Sequence, residues 1–88
     1  MDKKEEFLKM RIKLCNQNII KFYKKYALDY LDDINCDELE LKDAVKHLSK
    51  RCEKPEDSCF DFSLALFWYN VRKSYSSKLL EHLYGGIV

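Results

Sequence analysis

The four cysteines are the residues whose chemistry could most directly define a site. Cys15, Cys36, Cys52 and Cys59 are separated by 20, 15 and 6 intervening residues. Zinc modules usually present ligand pairs roughly two to four residues apart, because one tight turn then aims both sulfurs at the same ion. This chain has no such pair, so the spacing predicts no metal site.

Disulfide bonding is the other chemistry open to these cysteines. Cys52 and Cys59 flank the loop that holds Pro55, and a bond between them would close that loop. Cys15 falls on an apolar helical face, where a thiol packs as a small hydrophobic group. Residues 1–6 are mostly charged and no apolar signal segment follows them, which predicts a cytoplasmic protein with reduced thiols. Free thiols are therefore favoured over a disulfide.

The remaining reactive side chains form no recognisable catalytic pattern. His47 and His82 are single histidines on predicted helix surfaces, and no Ser or Cys lies in a known nucleophile motif. The sequence has neither a glycine-rich phosphate loop nor a His-Glu pair at metalloprotease spacing. We therefore predict a protein that is not an enzyme and uses no cofactor.

Helices must position all of these residues, because the chain has only two glycines and one proline among 88 residues. A β-sandwich or barrel needs a turn roughly every 8–12 residues. A hydrophobic content of 47% is sufficient for one core. The sequence predicts a single all-α domain over residues 1–88, a three-helix bundle with helices at about residues 3–31, 38–51 and 58–84.

The first predicted helix combines an apolar seam with a strong positive charge. Its seam residues alternate at spacings of four and three, as in bundle helices; they are Leu8, Ile12, Cys15, Ile19, Phe22 and Tyr26. Residues 1–26 hold eight Lys or Arg and three acids, whereas residues 27–45 hold seven acids and one Lys. The net charge is only +1, so no overall field attracts nucleic acid or membrane. Two solvated faces of opposite charge that attract each other across the bundle are the favoured interpretation, and a charged docking patch is the alternative.

The other two helices carry start and stop signals. Asp37 and Glu40 have the spacing of a capping box, and Ser58 and Asp61 repeat that spacing before the third helix. Gly85 is predicted to end the third helix in the left-handed conformation. Residues 85–88 then form an ordinary helix stop, and insertion of this tail into a partner groove is the less favoured alternative.

The third helix is apolar on more sides than two neighbouring helices can cover. Its apolar residues form three stripes, namely Phe60, Leu64, Phe67 and Val71; Ala65, Trp68, Tyr75 and Leu79; and Phe62, Leu66 and Tyr69. The second helix is predicted to be about half as long as the others, so part of this surface lacks a neighbour. Exposed apolar patches usually mark interaction sites. The predicted docking residues are Phe62, Leu66, Trp68, Tyr69 and Tyr75.

These patterns favour a small interaction module, an adaptor that serves as a regulator or subunit of a larger assembly. Its predicted partner is another protein or a second copy of itself. The alternative is a nucleic-acid-binding or ribosome-binding protein that uses the basic first helix; the candidate contacts are Lys13, Lys21, Lys24 and Lys25. No membrane partner is predicted, because no apolar run reaches the roughly 20 residues of a membrane span.

Overall fold

A computed structural model describes residues 2–30, 35–50 and 59–85, except for the side chain of Cys36. Helix α1 spans Lys3–Tyr30, α2 spans Leu41–Ser49 and α3 spans Phe60–Leu83. A 3₁₀ turn at Cys36–Glu38 precedes α2, and the described residues contain no strand. The predicted all-α bundle of one long, one short and one long helix is confirmed.

The long helices begin and end close to the predicted positions. At the start of α1, the Asp2 carboxylate accepts hydrogen bonds from the backbone N–H groups of Lys4 and Glu5 at 3.0 and 3.2 Å. At the end of α3, Gly85 adopts a φ of 65°, the left-handed conformation predicted for it. Ser58, the predicted cap of α3, and the tail residues 86–88 lie outside the described residues.

Helix α2 begins later than predicted. Glu40 is its N-cap, and the Glu40 amide donates to the Asp43 carboxylate at 3.2 Å. The predicted capping box of Asp37 and Glu40 is therefore wrong. Asp37 lies in the 3₁₀ turn, where its amide donates instead to the Asn35 side chain at 3.0 Å. The capping chemistry is the expected one, displaced by about one helical turn.

Helices α1 and α3 pack antiparallel along their lengths. Three contacts define this register, and they join Asp2 to His82, Asn16 to Arg72 and Tyr26 to Phe62. Helix α2 covers only one end of the hairpin, where His47 contacts both Tyr23 of α1 and Phe62 of α3. The opposite part, where residues 3–15 of α1 face residues 72–83 of α3, is here called the two-helix end.

The packed core is concentrated where α2 covers the hairpin. Its buried cluster consists of Ile19, Tyr23, Tyr26, Ala27, Ala44, Leu48, Cys59, Phe62 and Ala65. The chain is elongated, with extents of 45 × 26 × 17 Å and a radius of gyration of 14.7 Å. A compact chain of this length has a radius of gyration of about 12 Å. The solvent-accessible surface of 6473 Å² likewise exceeds the roughly 5,500 Å² of a compact monomer of this mass.

Candidate functional site

Phe62, one of the predicted docking residues, belongs to the core. Its side chain is fully buried, and the Tyr26 ring packs edge-on against it with the centroids 4.9 Å apart. The prediction that Phe62 contacts a partner is therefore wrong. It failed because the three apolar stripes of α3 resemble one another in sequence, and only packing against α1 and α2 distinguishes the inward one.

The other four predicted docking residues are half-buried. Leu66, Trp68 and Tyr69 pack against the core cluster with part of their surface. Tyr75 lies at the two-helix end, and the Lys78 ammonium is 5.7 Å from the centroid of its ring. These side chains keep some surface for a partner, but none is the most exposed aromatic of α3.

The most exposed aromatic residues of α3 lie on the stripe of Phe60, Leu64, Phe67 and Val71, here called the α3 outer stripe. Phe60 is 75% exposed and Phe67 is 55% exposed, while Leu64 and Val71 are half-buried. A helix turns by about 100° per residue, which places Phe60 and Phe67 on the side away from Phe62. The Phe67 ring makes an edge contact with Trp68 at a centroid distance of 5.3 Å.

The lysines predicted as nucleic-acid contacts lie on the outer side of α1. Lys13, Lys21 and Lys25 are exposed and Lys24 is half-buried. The neighbouring tyrosines are not available beside them, because Tyr23 and Tyr26 are buried in the core. Phe22 is half-buried, with the Lys21 ammonium 5.4 Å from its ring centroid. Of the aromatic rings beside these lysines, Tyr23 and Tyr26 are therefore not available for base stacking, and Phe22 is available only in part.

A hydrogen bond inside the core joins α1 to α2. The Tyr23 hydroxyl and His47 Nδ1 are 2.6 Å apart, and the two rings meet edge to face. Burial raises the pKa of Tyr23 to about 12, with smaller contributions from Tyr26 and Asp43. His47 is half-buried, contrary to the expectation of a surface histidine. The pair therefore links α2 to α1, next to the buried Ala44 and Leu48 of α2.

Two polar contacts bridge α1 and α3 away from α2. Arg72 Nε donates to the Asn16 side-chain oxygen at 2.6 Å. At the far end of the hairpin, His82 Nε2 hydrogen-bonds the carboxylate of Asp2. That bond is the main reason why the pKa of Asp2 lies below its ordinary value, and hydrogen bonds from the first amides of α1 add to the effect. These contacts fix the register of the two long helices.

The thiols show no arrangement for metal or redox chemistry within the described residues. Cys15 and Cys59 are buried free thiols, and burial raises the pKa of the Cys15 thiol. Cys52 and the side chain of Cys36 lie outside the described part of the structure. Among the residues that are described, no three His, Cys, Asp or Glu side chains cluster as a metal site requires.

No described helix combines the length and the apolarity that crossing a bilayer requires. Comparisons of the chain with protein-family models, with curated proteins and with solved structures find no match. The outward faces of α1 and α3 are therefore the features of this chain that bear most directly on its function.

Proposed function

We propose that this chain is a non-enzymatic cytoplasmic interaction module that docks onto a partner protein through the α3 outer stripe. The observation that carries this proposal is the pair Phe60 and Phe67, exposed by 75% and 55% and about two helical turns apart on one face. Fully burying an exposed Phe contributes about 1.5–3 kcal/mol. Two such anchors, with Leu64 between them, provide a strong driving force for association.

The surroundings of the α3 outer stripe also suit a protein partner. The exposed residues on one flank are Ser63, Asn70 and Ser74, which carry no charge. Their burial avoids the desolvation cost that charged groups would add. Trp68 on the other flank supports the Phe67 ring by its edge contact. Aromatic anchors held in place before binding lose less conformational entropy and commonly dominate interface energetics.

Nucleic-acid binding by α1 stays an alternative prediction with weaker support. Lys13, Lys21 and Lys25 are exposed, and cations on a helix surface can neutralise phosphates. Base stacking, however, needs exposed aromatic rings, and Tyr23 and Tyr26 beside these lysines are buried. The chain as a whole carries a net charge of only +1. Docking of α3 onto an apolar surface of a partner protein is therefore the better-supported function.

The test compares partner capture by three forms of the protein in its own cells. Phe67→Glu places a charge on the α3 outer stripe. Leu80→Glu is the matched control, because Leu80 is 57% exposed on another face of the same helix. We expect a partner that is retained at high salt by the wild type and by Leu80→Glu, and lost by Phe67→Glu.

Two results would contradict the proposal. One is an unchanged set of partners for Phe67→Glu, provided that circular dichroism shows the variant folded. The other is capture that disappears with added salt and with combined replacement of Lys21, Lys24 and Lys25, which is the result expected for nucleic-acid binding. Size-exclusion chromatography with light scattering on the purified chain shows whether the partner is a second copy.

A further inference from the structure

Helix α1 carries a second seam on the side opposite its core-facing one. Seven residues follow one another at spacings of three and four over about six turns, and this set is here called the α1 outer seam: Phe7, Met10, Leu14, Gln17, Lys21, Lys24 and Leu28. Such a spacing places them in one line along the helix. The core-facing line contains the buried residues Leu8, Cys15 and Ile19, about 150° away around the axis.

The first half of the α1 outer seam is an exposed apolar surface. Met10 is 67% exposed, and Phe7 and Leu14 are 49% and 40% exposed. Together with Arg11 and Lys13 they line an open depression of about 380 Å³. The Arg11 guanidinium lies 5.2 Å from the centroid of the Phe7 ring. No described residue of α2 or α3 contributes to this depression.

The second half of the seam is basic. Lys21 and Lys24 occupy seam positions and Lys25 lies beside them. None of these three forms an ion pair with a described residue, whereas Lys9, off the seam, is paired with Glu5 at 2.8 Å. Among the described residues, the seam therefore changes from apolar at Phe7, Met10 and Leu14 to unpaired positive charge at Lys21 and Lys24, and it ends at the exposed Leu28.

We infer that the α1 outer seam is a second docking site, separate from the α3 outer stripe, for a helix that is apolar in one half and acidic in the other. From Phe7 to Leu28 the seam is about 32 Å long, which matches a partner helix of about 20 residues. Apolar side chains of one half enter the depression at Met10, and carboxylates of the acidic half face Lys21 and Lys24.

A second copy of α1 does not fit this seam. A parallel arrangement sets Lys21 and Lys24 against the same residues of the other copy, and like charges oppose association. An antiparallel arrangement sets the apolar side chains of Phe7 and Met10 against the lysine-rich half. A matching partner must cover the apolar half with apolar groups and also cover the basic half with acids. Neither arrangement of a second copy does both.

Membranes and nucleic acids each suit only one half of the seam. A helix lying in a membrane interface keeps its cations beside the apolar face, whereas Lys21 and Lys24 lie within the line itself. Nucleic acid would neutralise the lysines and leave Met10 and Leu14 exposed to water. A helix with two chemically different halves satisfies both parts of the seam.

The probe for this inference is a synthetic, fluorescently labelled helical peptide of about 21 residues. It carries Leu at the seam-facing positions of one half and Glu at those of the other, and a second peptide carries Lys in place of Glu. Binding to the full chain is measured by fluorescence anisotropy. We expect the acidic peptide to bind at least about tenfold more tightly than the lysine peptide.

Variants on the α1 outer seam locate the site. Met10→Glu and the double replacement Lys21→Glu with Lys24→Glu are each expected to weaken the acidic peptide about tenfold or more. The double variant should bind the lysine peptide more tightly than the wild type does. Phe67→Glu should leave peptide binding unchanged, so this inference and the proposed function can fail independently.

Three results would overturn the inference. The first is an acidic peptide that fails to bind, and the second is binding that survives Met10→Glu. The third is preferential binding to anionic phospholipid vesicles or to single-stranded RNA that the peptide cannot compete away. Circular dichroism and thermal unfolding of each variant check that the fold persists, as we expect for replacements at the surface.

Discussion

Among single residues, the pair Tyr23 and His47 best shows how a polar contact can lie within an apolar core. The hydroxyl and the imidazole satisfy each other at 2.6 Å, so neither polar group is buried without a partner. Sequence patterns place His47 on a surface. A signal for its burial is nevertheless present, because His47 lies three residues after Ala44 and directly before Leu48, the two buried residues of α2.

Replacing Tyr23 by Phe tests this hydrogen bond through its pH dependence. At neutral pH we expect Tyr23→Phe to lower the free energy of unfolding by about 1–2 kcal/mol, because His47 loses its partner. Burial raises the pKa of Tyr23 from 10.0 to about 12. The stability linked to this proton is complete below about pH 10 and is lost as the pH rises towards about 12, by up to about 3 kcal/mol.

The phenylalanine variant has no proton to lose at this position. Its stability deficit should therefore shrink and then reverse between about pH 10 and about pH 12. Urea unfolding across that range measures the difference. Tyr84→Phe, which changes an exposed tyrosine, is the control and should follow the wild type. Parallel pH profiles for the wild type and Tyr23→Phe would contradict the expectation.

At the scale of the helices, sequence patterns locate the elements better than they orient them. The predicted helices at residues 3–31 and 58–84 agree closely with Lys3–Tyr30 and Phe60–Leu83, because apolar periodicity and Gly85 are local signals. The same patterns predict Phe62 as part of the docking face, yet Phe60 and Phe67 are the exposed rings. Contacts with residues distant in the chain, such as Tyr26, decide which side of α3 faces the core. Periodicity within one helix carries no information about those contacts.

The end of α3 offers a direct test of a local signal. Gly85 has a φ of 65°, and a Cβ added there would meet no atom within 4 Å. We therefore expect Gly85→Ala to cost about 1 kcal/mol of stability through backbone strain alone. Gly85→Asn should cost less, because Asn tolerates the left-handed conformation. Chemical unfolding measures the free energy of unfolding of both variants. An alanine variant as stable as the wild type would show that the end of α3 does not require glycine at residue 85.

At the scale of the whole molecule, the short α2 makes the two ends of the hairpin unequal. The aromatic core of Tyr23, Tyr26 and Phe62 lies where α2 packs. The two-helix end has Leu8 and Cys15 as its buried α1 residues, while its α3 residues are at most half-buried. The predicted mismatch in helix length accounts for this asymmetry. The two exposed apolar faces have another origin, because the α3 outer stripe lies at the end that α2 covers and the α1 outer seam lies on the side of α1 away from the core.

Amide hydrogen exchange should reveal the asymmetry directly. We expect the slowest exchange around residues 19–27 of α1 and 62–69 of α3, and faster exchange at the two-helix end, because local opening there breaks fewer buried contacts. Asp2→Asn weakens the contact with His82 that closes this end. The variant should accelerate exchange at the two-helix end and leave the end covered by α2 unchanged. Equal protection at both ends of the wild type would show that the hairpin opens as one unit and would contradict this expectation.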